Sequence, residues 1–155
     1  MEAVFRGVAE LSLDAKGRMA MPVRYREPLQ ESCAGRLVIT IDLVEKCLAI
    51  YPLHEWKQIE EKLDVLPSLN PKTAMVRRLL MGNATDVEMD GNGRLLIPPK
   101  LRKQANLEKK AVIVGQGKKF ELWDEEAWDS RTLAWQEEVS LDEGSLPAEL
   151  ESLSL

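Results

Sequence analysis

The sequence of 155 residues holds two cysteines and one histidine, and each shortage excludes a class of chemistry. Cys33 and Cys47 lie in or beside apolar runs, at a spacing that fits neither a zinc knuckle nor a redox CxxC pair, so they read as buried thiols with no metal role. There is no P-loop, no GxGxxG and no nucleophile beside a recognisable base. No apolar run approaches the roughly 18 residues of a membrane span, and the opening MEAVFRGVAELSLD lacks the apolar stretch of a signal peptide. The expectation is a cytoplasmic protein with no membrane role. What is present is 45% hydrophobic and 30% charged residues, enough for the core of one compact domain or two small joined halves.

Positive charge is also short overall: 21 Lys plus Arg against 26 Asp plus Glu give a net charge of −5. Spread evenly, that charge would repel nucleic acid. It is not spread evenly, because residues 1–120 sum to +5 and residues 121–155 to −10. The acidic part opens with a predicted helix, Asp124 to Glu138, that sets Trp128 and Trp135 on one face. It ends in LDEGSLPAELESLSL, poor in aromatics and broken by Gly144 and Pro147, which reads as a loose solvated tail.

The most informative feature is an internal duplication. LSLDAKGRMAMPVRYR, residues 11–26, aligns without a gap on VEMDGNGRLLIPPKLR, residues 87–102. Asp14 meets Asp90, Gly17 meets Gly93, Arg18 meets Arg94, Pro22 meets Pro98 and Arg26 meets Arg102. Further on, LVIT from Leu37 parallels AVIV from Ala111, and LAIYPLHEW from Leu48 parallels FELWDEEAW from Phe120.

Each copy predicts the same elements. A strand (Phe5 to Leu13, or Ala84 to Met89) leads into a polar turn, DAKG or DGNG, with Gly where a positive φ is needed. A short strand follows, then a short helix that begins at Pro22 or Pro98. Pro28 is expected to kink or stop the first of these helices. Two hairpins come next, Leu37 to Ile41 with Cys47 to Tyr51 and Ala111 to Val114 with Phe120 to Trp123. The first is followed by a helix with Trp56, Ile59, Leu63 and Leu66 as its core stripe, and Asn70 with Pro71 begins another that runs to Leu80. A unit of about fifty residues cannot bury both faces of its strands alone, so the copies are expected to pair into one barrel-like body with pseudo-twofold symmetry.

Turn chemistry accounts for Asp and Gly in the repeated DxxGR pattern, but not for Arg. That Arg is either an ion-pair partner of the Asp or a ligand contact. Around it lie Lys16, Arg24 and Arg26 in the first copy and Lys100, Arg102 and Lys103 in the second, two matched basic patches of the kind that face nucleic acid.

The two DxxGR turns, the FRG at Phe5 to Gly7, the GRLLIP segment and the duplicated layout resemble the MraZ family of bacterial transcription regulators, related to AbrB-like swapped-hairpin DNA-binding domains. The resemblance spans nearly the whole chain. It implies an α+β fold, mainly β with flanking helices: a duplicated AbrB-like double-split β-barrel. It implies AbrB-like repeats at 5–52 and 81–124, connecting helices at 53–80, and a C-terminal helix and acidic tail at 125–155. It further implies a ring-shaped homo-oligomer at the nucleoid that binds direct repeats in double-stranded DNA and represses its own division and cell wall operon, with no cofactor. Carried onto this sequence, Lys16, Arg18, Arg24, Arg26, Arg94, Lys100 and Arg102 are the expected DNA contacts, and Asp14, Gly17, Asp90 and Gly93 shape the loops. Arg18 is the expected reader of a base edge and the other cations of its copy the phosphate contacts. Asn92 stands where the first copy has Lys16, so the first loop is the stronger candidate. Met1 to Val4 precede the family's FRG opening, which reads as a mis-assigned start or a harmless extension.

Two other functions are weighed against this. An enzyme is disfavoured: His54 matches Glu126 in the other copy, and Asp14 and Asp90 each sit by an Arg, a poor metal shell. An antitoxin-like interaction module would grip a protein partner through the acidic C-terminal segment.

Overall fold

The computed structural model describes residues 3–141 and 147–153. Residues 3–125 form one unit, and the chain from 126 onward forms a second, smaller one.

In the first unit, β1 (Phe5–Ser12), β3 (Arg36–Ile41), β4 (Leu48–Pro52), β5 (Thr85–Glu88), β7 (Lys110–Gly117) and β8 (Phe120–Asp124) make one antiparallel sheet in the order β1-β7-β8-β4-β3-β5. Exchanging the two copies maps this order onto itself. The first strand of each copy therefore pairs with the third strand of the other: β1 lies on β7, and β5 on β3. The axis passes between Ala49 and Glu121, where β4 meets β8. It passes again between Met19 and Leu95, the central pair of a separate two-stranded ribbon made by β2 (Arg18–Ala20) and β6 (Arg94–Leu96).

One core serves both copies. Met19, Met21, Leu95 and Ile97 are fully buried beneath the ribbon, together with Leu37, Ile39, Leu48, Ile50, Ile113 and Leu122 from the sheet. The symmetry fails at one end, where Phe5, Tyr25 and Phe120 pack with ring centroids 4.4 to 5.8 Å apart. Their counterparts Met81, Leu101 and Leu48 are all aliphatic, so this aromatic cluster has no twin.

Helix α1 (Val23–Cys33) continues past Pro28. Pro28 forfeits one backbone bond, but fully buried Leu29 sits one residue on and holds the chain to the core, so the helix does not stop there. Pro22 and Pro98 occupy the N-cap positions of α1 and α4 (Pro99–Gln104), one place earlier than the first helical residue, where the extended ψ of 138° and 139° suits proline. In α2 (Leu53–Asp64), Trp56 and Leu63 are buried and Ile59 half-buried, but Leu66 lies beyond the helix end and is 42% exposed, so the predicted stripe is one residue too long. Helix α3 (Pro71–Gly82) begins as its sequence dictates: the Asn70 side chain accepts from the amides of Lys72 and Thr73, with Pro71 in the first turn. Buried Thr40 donates to the Leu80 carbonyl at 2.7 Å, tying the end of α3 to β3. Both cysteines are free: Cys47 is buried and Cys33 half-buried.

The second unit contains most of α5 (Glu125–Leu141) and a short helix α6 (Ala148–Glu151). Trp128 and Trp135 meet edge to face at 6.0 Å, and Arg131 lies 5.1 Å from the Trp135 ring centre. Part of the stretch expected to be loose, residues 142–146 and 154–155, lies outside the described residues, and α6 falls within the rest. Among the described residues, no helix is long and apolar enough to cross a membrane.

Candidate nucleic-acid interface

The two DxxGR turns fold alike because the aspartate closes each on its own backbone. Asp14 Oδ1 accepts from the amides of Lys16 at 3.0 Å and Arg18 at 2.8 Å, and the Gly17 amide donates to the Asp14 carbonyl at 2.9 Å. Asp90 accepts likewise from Asn92 at 2.8 Å and Arg94 at 2.9 Å, with Gly93 donating to the Asp90 carbonyl at 3.0 Å. Gly17 and Gly93 hold φ of +85° and +75°, a region that side chains other than glycine rarely enter.

The arginines are where the turns differ. Arg18 Nε donates to Asp14 Oδ2 at 2.8 Å, whereas Arg94 Nε stands 3.5 Å from Asp90 Oδ2 and makes no hydrogen bond among the described residues. The first pair thus uses only one nitrogen of the Arg18 guanidinium. Its two terminal nitrogens donate to no acceptor among the described residues, so Arg18 can both pair with Asp14 and meet a ligand. The bond from the Arg18 amide, more than any other influence, holds the Asp14 carboxyl down at about 2, and the Arg94 amide lowers Asp90 in the same way. A carboxyl depressed in the folded state stabilises that state above its ordinary value near 3.8 and loses the contribution as pH falls towards about 2. Asp14→Asn should therefore be less stable than the parent at neutral pH, and urea melts of the two should converge between about pH 5 and about pH 2.

The ribbon sets the turns side by side. In an antiparallel pair, directly opposed residues share a face and alternate positions point to opposite sides. Arg18 opposes Leu96 and Arg94 opposes Ala20, while buried Met19 and Leu95 point inward. Both motif arginines therefore stand on the outer face of one ribbon, as diagonal neighbours roughly 7–8 Å apart. Asp90 is close enough to Arg18 to be stabilised by its charge. Reciprocal bonds lock the ribbon ends: the Met21 amide to the Gly93 carbonyl at 2.8 Å, and the Ile97 amide to the Gly17 carbonyl at 2.9 Å.

Of the other expected contacts, Lys16 and Lys100 are exposed, as is Lys103, with no side-chain partner among the described residues. Arg24 is exposed but tethered: its Nη2 donates to the Tyr25 hydroxyl at 2.9 Å, and Tyr25 donates in turn to the Arg6 carbonyl. Gly7 leaves room for Arg24, whose Nη2 would lie 2.9 Å from a Cβ placed there. The FRG segment is thus a support for α1. Arg26 and Arg102 are half-buried. Arg26 Nε donates to the Met21 carbonyl at 2.7 Å and Arg102 Nε to the Ile97 carbonyl at 3.0 Å. Linear alignment could pair Arg26 with Arg102, but gave no sign that either was sequestered, since the bond partners are main-chain atoms.

Elsewhere, His54 lies in the first turn of α2 with Nε2 3.5 Å from Glu55. Asp42, Cys47 and Glu121 bring ligand-type atoms within 4.8 Å of one another. The set makes a poor cation shell: burial pushes the Cys47 thiol far up, so it stays protonated, and Asp42 Oδ2 already accepts from the amides of Val44 and Glu45.

A family model described as "MraZ protein, putative antitoxin-like" matches residues 4–79 and again residues 80–144, one match per copy. This chain belongs to the MraZ family. It is similar, at 52% identity over 152 residues, to the transcriptional regulator MraZ of Halorhodospira halophila, covering 98% of this chain and 100% of that protein. The proteins of the same name from Pseudomonas aeruginosa and Pseudomonas putida are 55% and 53% identical over the same shares. The boundary between the two MraZ matches falls near the end of α3, just before the second copy's first strand begins at Thr85.

Proposed function

We propose that this MraZ protein is a sequence-specific DNA-binding transcription regulator that represses its own division and cell wall operon at the nucleoid, through direct repeats upstream of the promoter. The observation that carries this reading is the outer face of the β2–β6 ribbon, where Arg18 and Arg94 stand together, with exposed Lys16 in the first turn and exposed Arg24 and Lys100 in α1 and α4, the helices that follow the two ribbon strands. A major groove about 12 Å wide admits a two-stranded ribbon, and a guanidinium with free terminal nitrogens can pair with a guanine edge. Arg18 reads the base, Lys16, Arg24 and Lys100 hold phosphates, and Arg94 serves the weaker second turn. Asp14 and Asp90 close the loops and do not face the DNA.

A three-residue ribbon is a small contact, and assembly into a ring compensates for it. Helix α3 has no buried residue and leaves Met75 and Leu79, one turn apart on the same face, 52% and 45% exposed, apolar surface of the kind a neighbouring subunit covers. Several loops meeting successive repeats raise the effective concentration. In a gel-shift titration, a duplex carrying two repeats should bind about 10²-fold or more tightly than one carrying a single repeat. Equal affinities would remove the case for a multivalent ring.

A further inference from the structure

Arg26 was expected at a phosphate and Arg102 among the DNA contacts, yet each lies against the other copy's turn. A Cβ placed on Gly17 would lie 2.3 Å from Arg102 Cζ and 2.4 Å from its Nε, and one on Gly93 would lie 2.2 Å from Arg26 Nε. Such distances mean that the guanidinium stem covers the glycine. The same stem is fixed from its own side by the bond to the Ile97 or Met21 carbonyl. Those carbonyls belong to the residues whose amides bond the Gly17 and Gly93 carbonyls. Each turn glycine is thus held at its carbonyl by the amide of the other copy's Ile97 or Met21 and covered by that copy's arginine.

We infer that Arg26 and Arg102 are positioning residues that act crosswise: Arg102 sets the Asp14 to Arg18 turn and Arg26 sets the Asp90 to Arg94 turn, so that neither DNA loop takes its binding shape without the opposite copy. This rests on the DNA-binding reading for its consequence, but not for its geometry. It also gives the repeated glycines a second reason to lack a side chain: beyond the positive φ, the space above each is occupied. Lysine cannot replace arginine here. It keeps the charge but has no planar stem to lie on the glycine and no Nε–H to reach the carbonyl from that position.

The test uses the full-length protein and its Arg102→Lys, Arg102→Ala and Arg26→Lys variants, with two readouts. Hydrogen exchange read on peptides covering residues 14–20 and 90–96 should show faster exchange in the first turn alone for both Arg102 variants, and in the second turn alone for Arg26→Lys. Affinity for a duplex of the DNA upstream of this chain's own gene should fall about tenfold or more in Arg102→Lys, as for a lost base contact, and equally in Arg102→Ala. Wild-type affinity in Arg102→Lys with loss in Arg102→Ala would make Arg102 a phosphate contact and overturn the inference. So would exchange that changes only in the variant's own turn. If the parent protein binds no duplex, the DNA reading falls, while the exchange pattern still decides the crosswise clamp.

Discussion

Arg18→Ala should abolish binding to the upstream DNA and leave the fold and assembly intact. The expectation follows from how the turn is closed. Two backbone amides, those of Lys16 and Arg18, hold Asp14 Oδ1, and neither depends on the Arg18 side chain. Gly17 keeps its bond to the Asp14 carbonyl, and Met19 stays buried beneath the ribbon. What is lost is the guanidinium whose terminal nitrogens face outward. A bidentate base contact is worth about 1–3 kcal/mol, so two engaged loops lose roughly 2–6 kcal/mol, more than tenfold and up to about 10⁴-fold in affinity. Arg94→Ala should cost less, because its turn lacks the counterpart of Lys16. A gel-shift series with size-exclusion profiles checks both points, and unchanged affinity in Arg18→Ala would sink the assignment of Arg18.

The second large effect is that of salt. Lys16, Arg18, Arg24, Arg94 and Lys100 give each subunit five proposed DNA contacts, so two subunits on adjacent repeats offer ten. A protein neutralising about 6–10 phosphates loses roughly 10³–10⁵ in affinity between 50 and 200 mM salt. Fluorescence anisotropy across that range should give a steep linear fall of log K with log salt. A flat response would show that these cations are not the interface. The net charge of −5 is unevenly held: residues 1–125, the unit that carries the ribbon, sum to +2, and residues 126–155 to −7.

Much of this arrangement was legible in the residues themselves. The turn at Asp14 and Gly17 could be read because Asx closure and a positive φ are local matters, and the duplication repeated the evidence at Asp90 and Gly93. The start of α3 was equally local, resting on Asn70 and Pro71. The paired strands were legible as elements, and the need for the copies to join followed from their size. The exchange of first strands was not, since nothing in β1 alone says that it lies on β7 and not on β3. Leu66 was misplaced because a helical stripe continues in sequence after the helix has ended. Pro28 misled because its cost is local while the burial of Leu29 is tertiary. Arg26 and Arg102 carried the deepest ambiguity: their charge suggested a surface role, and only the approach of the two copies reveals what lies beneath them.

The central claim is that the ribbon face reads DNA upstream of this chain's own gene. Footprinting that DNA with the parent protein, and with Arg18→Ala as control, tests it most directly. The account predicts evenly spaced protected segments that coincide with direct repeats and vanish in the variant. No protection by the parent protein, or the same protection by Arg18→Ala, would contradict it.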